Sequence, residues 1–213
     1  MTPPAQPEPR WPVALALVVC AGLYVLLPSR LAVGPKWLLP VLVVLPLIPI
    51  SWRRQRHPDD EPWVHYLAVS LVVIITLANF VSVVLLIHHV FYAAQIKGRE
   101  LLYSAATIWV TNVIVFGIWF WEVDRGGPLK RSSAHPRLPD LQFPQMSEPS
   151  LAPSNWRPRF VDYLYTSFAN GTSFAPADAM PLTFQAKALF GLEALISFVT
   201  IAVVAGEAVN ILR

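Results

Sequence analysis

Several stretches of this chain run for the width of a lipid bilayer with almost no charge. Residues 11–28 (WPVALALVVCAGLYVLLP), 36–52 (KWLLPVLVVLPLIPISW), 63–93, 101–122 and 182–213 are the longest. A helix needs about 20 apolar residues to cross a hydrocarbon core of about 30 Å, and inside that core only helices and closed barrels satisfy their own backbone groups. The composition agrees: 55% of the 213 residues are hydrophobic and 14% are charged, against roughly 25% charge in a soluble domain. The chain reads as an all-α membrane protein.

The pattern predicts four organisational units. Residues 1–10 form a disordered tail, and 11–122 a four-helix transmembrane region. Residues 123–160 form a proline-rich extramembrane linker, and 161–213 a half-helix followed by the final span. The first two spans form a tight hairpin around SRLAVGP, with Pro40, Pro46 and Pro49 kinking the second. The linker holds seven prolines, from Pro128 to Pro158, which favour an extended, partly ordered cover over any long helix. The segment PSRLAVGPK lacks a small-residue cleavage site, so residues 11–28 read as a retained helix and not as a signal peptide.

Between linker and last span lies VDYLYTSFANGTSFAPADAMPLT, residues 161–183. Gly171, Pro176 and Pro181 break it too often for a span, and its aromatic content is high for a loop. Asp162 can cap a short helix from Tyr163 to Ala169, with Leu164 and Phe168 on one face. The order is then span, linker, half-helix, irregular segment, span. Irregular backbone at membrane depth survives only in protein or beside water, so the expected fold is five transmembrane helices plus one re-entrant half-helix before the last span.

This region resembles the pore loop of potassium-channel-type proteins, in which a pore helix ending S-F leads into T-x-T-T-x-G-Y-G-D, two residues, P, one residue, T. Ser167 and Phe168 match the helix end, and Thr172 and Ser173 the paired threonines. Asp178, Pro181 and Thr183 match the aspartate, proline and threonine beyond. Asn170 replaces the first threonine, and Ala175, Pro176 and Ala177 stand in place of Gly-Tyr-Gly. Potassium selection uses rings of backbone carbonyls, and Ala-Pro-Ala lacks the backbone freedom of glycine. The resemblance therefore implies a channel-like protein with a non-standard filter, non-selective or non-conducting, and a homotetramer as its assembly. Asn170, Gly171, Thr172, Ser173 and Phe174 would form the constriction and Asp178 would anchor the loop. From FWEVDRGGP through FPQM, PLT and AVNIL, the C-terminal part is also similar to a group of bacterial inner-membrane proteins without an assigned activity.

At 100° per residue, Glu193, Ser197, Thr200 and Glu207 fall within an arc of about 80° on the last helix. Carboxylates in a span need water or a partner. The two glutamates lie roughly 21 Å apart along the axis, so they are no catalytic dyad. They either line a cavity, with Glu193 attracting an inorganic cation, or bond to neighbouring helices.

Other classes have less behind them. The motifs H-E-x-x-H, G-x-S-x-G and the P-loop are absent, and Cys20 is the single cysteine, so no catalytic, metal or cofactor site is expected. The net charge of +3 sits in loops without a base-reading motif; the expected partners are the lipid bilayer and further copies of the chain, not nucleic acid. EVDRGGP, residues 122–128, reads as a helix end with a Gly-Gly turn, where Glu122 or Asp124 pairs with Arg125 or a basic linker residue. The rival to a channel is a non-transporting scaffold or accessory protein that keeps the pore-loop fold as packing. Glu193→Gln divides the two, altering ion flux in a channel and only stability in a scaffold, while the orientation of the linker stays open. The basic residues of 123–160, with Arg10, Arg53, Arg54 and Arg56, place the linker in the cytoplasm by the positive-inside rule, whereas potassium-channel geometry would place it outside.

Overall fold

A computed structural model describes residues 8–54, 62–92, 98–131, 137–153, 156–175 and 179–211. Among the described residues the protein is helical apart from one two-residue strand pair. Its long helices are α1 (Trp11–Leu26), α2 (Leu38–Arg54), α3 (Pro62–Tyr92), α4 (Gly98–Val123), α7 (Phe160–Ser173) and α8 (Phe184–Ile211). Among the described residues, three stretches, His65–Tyr92, Gly98–Gly126 and Phe184–Gly206, are long and apolar enough to cross a membrane; Trp11–Leu26 is apolar but shorter. This is the makeup of a membrane protein.

α1 and α2 form the expected hairpin. Tyr24 closes it: its hydroxyl donates to Val33 O at 3.0 Å and accepts from Val33 N at 2.6 Å. α2 runs helical through its prolines.

α4 is the central element, and it packs against α1, α3, α7 and α8. Its small and apolar residues, among them Ala105, Ile108, Val115, Ile118 and Phe120, are buried. α3 is tied to it by Trp119 Nε1, which donates to Thr76 Oγ1 at 2.9 Å, and by His65 Nδ1, 3.1 Å from Glu122 Oε2.

The end of α4 makes the expected turn: Arg125, Gly126 and Gly127 all have positive φ. The linker that follows is more ordered than its prolines suggest. It holds short helices α5 (Pro128–Arg131) and α6 (Pro144–Ser147) and strand β1 (Leu141–Gln142), which pairs antiparallel with β2 (Met180–Pro181) just before α8. Leu141 and Phe143 are buried, and the Phe143 ring packs edge-on against Trp156 and Tyr163. The prolines set short turns in a folded cap. The tail also departs from expectation where it is described: Glu8 is bonded across the cap end, while residues 1–7 lie outside the described residues.

Candidate functional site

α7 starts at the cap and descends along α4 in the opposite direction. The Phe160 ring stands edge-on to Trp121, Leu164 lies on Gly117, Ser167 Oγ donates to Val113 O at 2.7 Å, and Trp109 Nε1 donates to Gly171 O at 3.2 Å. From Phe160 to Gly171 the descent is roughly 17 Å at about 1.5 Å per residue, to near the midpoint of α4. The cap-level pairing of Met180 with Gln142 shows that the chain has come back up before α8 begins. α8 then runs down beside α7, with Phe190 stacked on Phe120 at 4.4 Å between ring centroids.

The half-helix is longer at both ends than Tyr163–Ala169. Arg159 is its N-cap, with Asp162 at the third position, where its carboxylate accepts from Arg159 N at 2.7 Å in a capping box. Gly171 does not end it. It is a contact residue: an added Cβ there would meet Ser197 Oγ at 3.2 Å and Val113 Cγ2 at 3.3 Å. The helix stops at Phe174, in the left-handed region at φ 56°.

At the junction of α4, α7 and α8 the structure brings together residues expected to have separate roles. Glu193 and Ser197 have no exposed surface, and Asn170 and Thr200 almost none. Asn170 Nδ2 donates to Glu193 Oε2 at 2.7 Å and to Phe190 O at 3.0 Å. Asn112 Nδ2 donates to Ser197 Oγ at 3.0 Å and to Glu193 O at 3.3 Å. Ser167 Oγ bonds to Glu193 Oε1 as well as to Val113 O. Thr200 donates to Ile196 O within α8 at 2.7 Å. Glu193, Ser197 and Thr200 thus face the chain's own interior, where Ser167 and Asn170, Asn112 and the Ile196 carbonyl respectively pair with them, as buried polar groups require. The opposite face of α8, with Leu192, Leu195, Phe198 and Ile201, is exposed and apolar.

Of the expected constriction, Asn170 and Gly171 are buried, while Thr172, Ser173 and Phe174 are exposed at the deep end of α7. Thr172 Oγ1 donates back to Phe168 O and Ala169 O, and the Phe174 ring stands edge-on to Phe198. Asp178 and the side chain of Glu207 lie outside the described residues.

A second polar centre lies under the cap, where the sequence had pointed only to a helix end. Asp124 is fully buried. Its Oδ1 accepts from Asp140 N at 2.9 Å and Leu141 N at 3.4 Å, and its Oδ2 from the Tyr163 hydroxyl at 2.6 Å. Asp140 in turn accepts from Arg125 N and from Thr183 Oγ1, both at 2.7 Å. Arg131 donates to the carbonyls of Trp121 and Asp124 and lies over the Tyr163 ring. Glu8 accepts from Trp121 Nε1 at 2.7 Å and from Phe160 N, a free donor of the first turn of α7, at 2.6 Å. Glu122 lies 3.1 Å from His65, and Asp124 bonds to backbone amides and a tyrosine, while the Arg125 guanidinium is directed to Met146 Sδ. This centre fixes where α7 and α8 leave the cap.

Comparison with protein families, with curated proteins and with solved structures gives no match.

Proposed function

We propose that the chain is a multi-pass protein of the bacterial inner membrane, with α1–α4 and α8 as spans and α7 as a re-entrant half-helix. In this reading it serves as a non-transporting scaffold or accessory protein. One observation carries the choice: Glu193, Asn170 and Ser167 bond to one another inside a single chain. Groups so paired are not available to a permeating ion, and the face of α8 left over to line a central cavity is apolar. The spacing of cap contacts supports the re-entrant path, since α7 goes about half the depth of α4 and the chain is back at cap level by Met180. At 16 residues, α1 reaches about 24 Å, and spanning asks for slight thinning of the bilayer.

The N-terminal end of α1, the start of α3 and the cap share one end of the bundle, as Glu8–Trp121 and His65–Glu122 require. That end carries the larger share of basic residues and belongs in the cytoplasm. The half-helix then enters from the side opposite to that of a potassium-channel pore loop, a further support for the non-transporting reading.

The exposed Thr172, Ser173 and Phe174 favour a second reading, a homotetrameric channel-like protein in which four such tips converge around a cation path. Cation flux into liposomes holding the purified protein separates the two, with native mass spectrometry of the same preparation. The first reading expects no flux above protein-free liposomes, in wild type and in Glu193→Gln alike. A tetramer with a cation flux that changes in Asn170→Ala or Glu193→Gln would overturn it.

A further inference from the structure

The segment that leads into α8 alternates. Ala179 is buried, Met180 exposed, Pro181 half-buried, Leu182 exposed, Thr183 half-buried and Phe184 exposed. This is the two-residue period of an extended strand with one face turned inward. The inward face is held on the cap: Pro181 lies opposite the buried Leu141 in the strand pair, and Thr183 Oγ1 donates to Asp140 at 2.7 Å. Leu182 N donates to Asp140 O at 2.8 Å, so the segment cannot turn over without breaking both bonds. The outward face is a ridge of Met180, Leu182 and Phe184, which are 66%, 44% and 86% exposed. A contiguous apolar patch of this kind marks a contact surface.

The height of the ridge in the bundle identifies what covers it. Lys187 is exposed in the first turn of α8, and an ammonium there keeps to the headgroup level. With 28 residues α8 is about 42 Å long, so its first turn can stand outside a hydrocarbon core of about 30 Å. Trp11 and Tyr66, exposed at the starts of α1 and α3 on the same end of the bundle, are residue types that settle at that level. Below the ridge, the exposed Ala188, Gly191 and Leu195 lie within about 40° of Phe184 around the helix, so the surface continues into the apolar face of α8. We propose that Met180, Leu182 and Phe184 are an interfacial anchor that seats the edge of the cap in the lipid leaflet at that end. The three side chains enter the headgroup–acyl boundary, where the apolar faces of interfacial elements lie about 5–10 Å deep. Because Asp140 joins the ridge to the turn after α4 through Arg125 N, the anchor also sets the height from which α7 descends. The inference rests on the membrane placement of the bundle and is independent of whether the protein conducts.

The test places an environment-sensitive NBD fluorophore on single cysteines of the full-length chain, in a Cys20→Ser background, in liposomes of phosphatidylglycerol and phosphatidylcholine. Met180→Cys and Leu182→Cys report the ridge. Ser150→Cys, on an exposed turn of the cap, is the control in water, and Leu195→Cys the control in hydrocarbon. Labels at positions 180 and 182 should emit to the blue of the label at 150. Lipid nitroxides near the headgroup should quench them more than nitroxides deep in the acyl chain, with the reverse order at 195. Emission at 180 and 182 equal to that at 150, with 195 still in hydrocarbon, would overturn the proposal and leave the spans in place. Water at all four positions would overturn the membrane placement and the anchor with it. A blue shift that disappears on dilution into excess lipid would put a second copy of the chain on the ridge, and would also overturn the anchor. Both ridge positions are exposed, so the variants should fold; if Met180→Cys does not, Leu182→Cys decides alone.

Discussion

Gly117→Ala is the substitution that most directly tests the descent of α7 along α4. A methyl group at this position would stand 3.0 Å from Leu164 Cα, 3.1 Å from its Cδ1 and 3.5 Å from its Cβ. The nearest of these is backbone, so a rotamer change cannot clear it and the two helices must part by a few tenths of an ångström. Overpacking of this kind destabilises by about 1–3 kcal/mol, offset in part by a gain of up to about 1 kcal/mol from the better helix former. The net expectation is a loss of about 0–3 kcal/mol. Gly22 in α1 and Gly191 in α8 are the controls, because a Cβ at either meets nothing within 4 Å; alanine there should leave stability unchanged or raise it. Thermal unfolding in mild detergent, followed by tryptophan fluorescence, reads all three, with Trp109 and Trp121 beside the affected contact. If Gly117→Ala is as stable as Gly191→Ala, α7 does not lie on α4 at this level, and the packing argument fails.

Three further outcomes are expected. Glu193→Gln should unfold within about 1 kcal/mol of wild type, since its amide can donate to Ser167 and its carbonyl accept from Asn170. Glu193→Ala should lose about 1–3 kcal/mol by leaving buried donors unpaired, and equal losses in the two variants would sink the bonding scheme. Asp124→Asn should weaken a charge-assisted set worth about 1.5–3 kcal/mol and open the cap, so that trypsin cuts after Arg137 at least about tenfold faster; an unchanged rate would mean that Asp124 does not hold the cap. Ser173→Cys in a Cys20→Ser background should resist a membrane-impermeant maleimide in intact membranes, and rapid labelling would favour a water-filled path over the non-transporting reading.

Hydropathy alone located α3, α4 and α8, because a charge-free run of that length has few other ways to satisfy its backbone. Charge and glycine spacing located the turn after Trp121–Glu122. What could not be read were the partners. Glu193 was visible as an expensive residue in an apolar helix, yet its bonds go to Asn170, Ser167 and, through its carbonyl, to Asn112, 81 residues away. Gly171 looked like a helix breaker and is a contact residue, since sequence does not reveal that Ser197 and Val113 press against it. Asp124 was read as a local pairing residue, whereas its ligands are amides and a hydroxyl supplied by distant segments. Proline spacing marked residues 123–160 as non-helical in the large, but the burial of Leu141 and Phe143 depends on a floor built by α4 and α7.

The Glu8 clasp also has a consequence for the order in which the protein is made. Its carboxylate waits for Phe160 N–H, 152 positions further along the chain. At roughly 5–20 residues per second of synthesis, that is a delay of about 8–30 s, by which time α1 to α4 have left the ribosome. The residue that precedes the first helix is therefore among the last to find its place. A chain cut just after it would still insert its early helices, but would dock its half-helix without the latch that closes assembly.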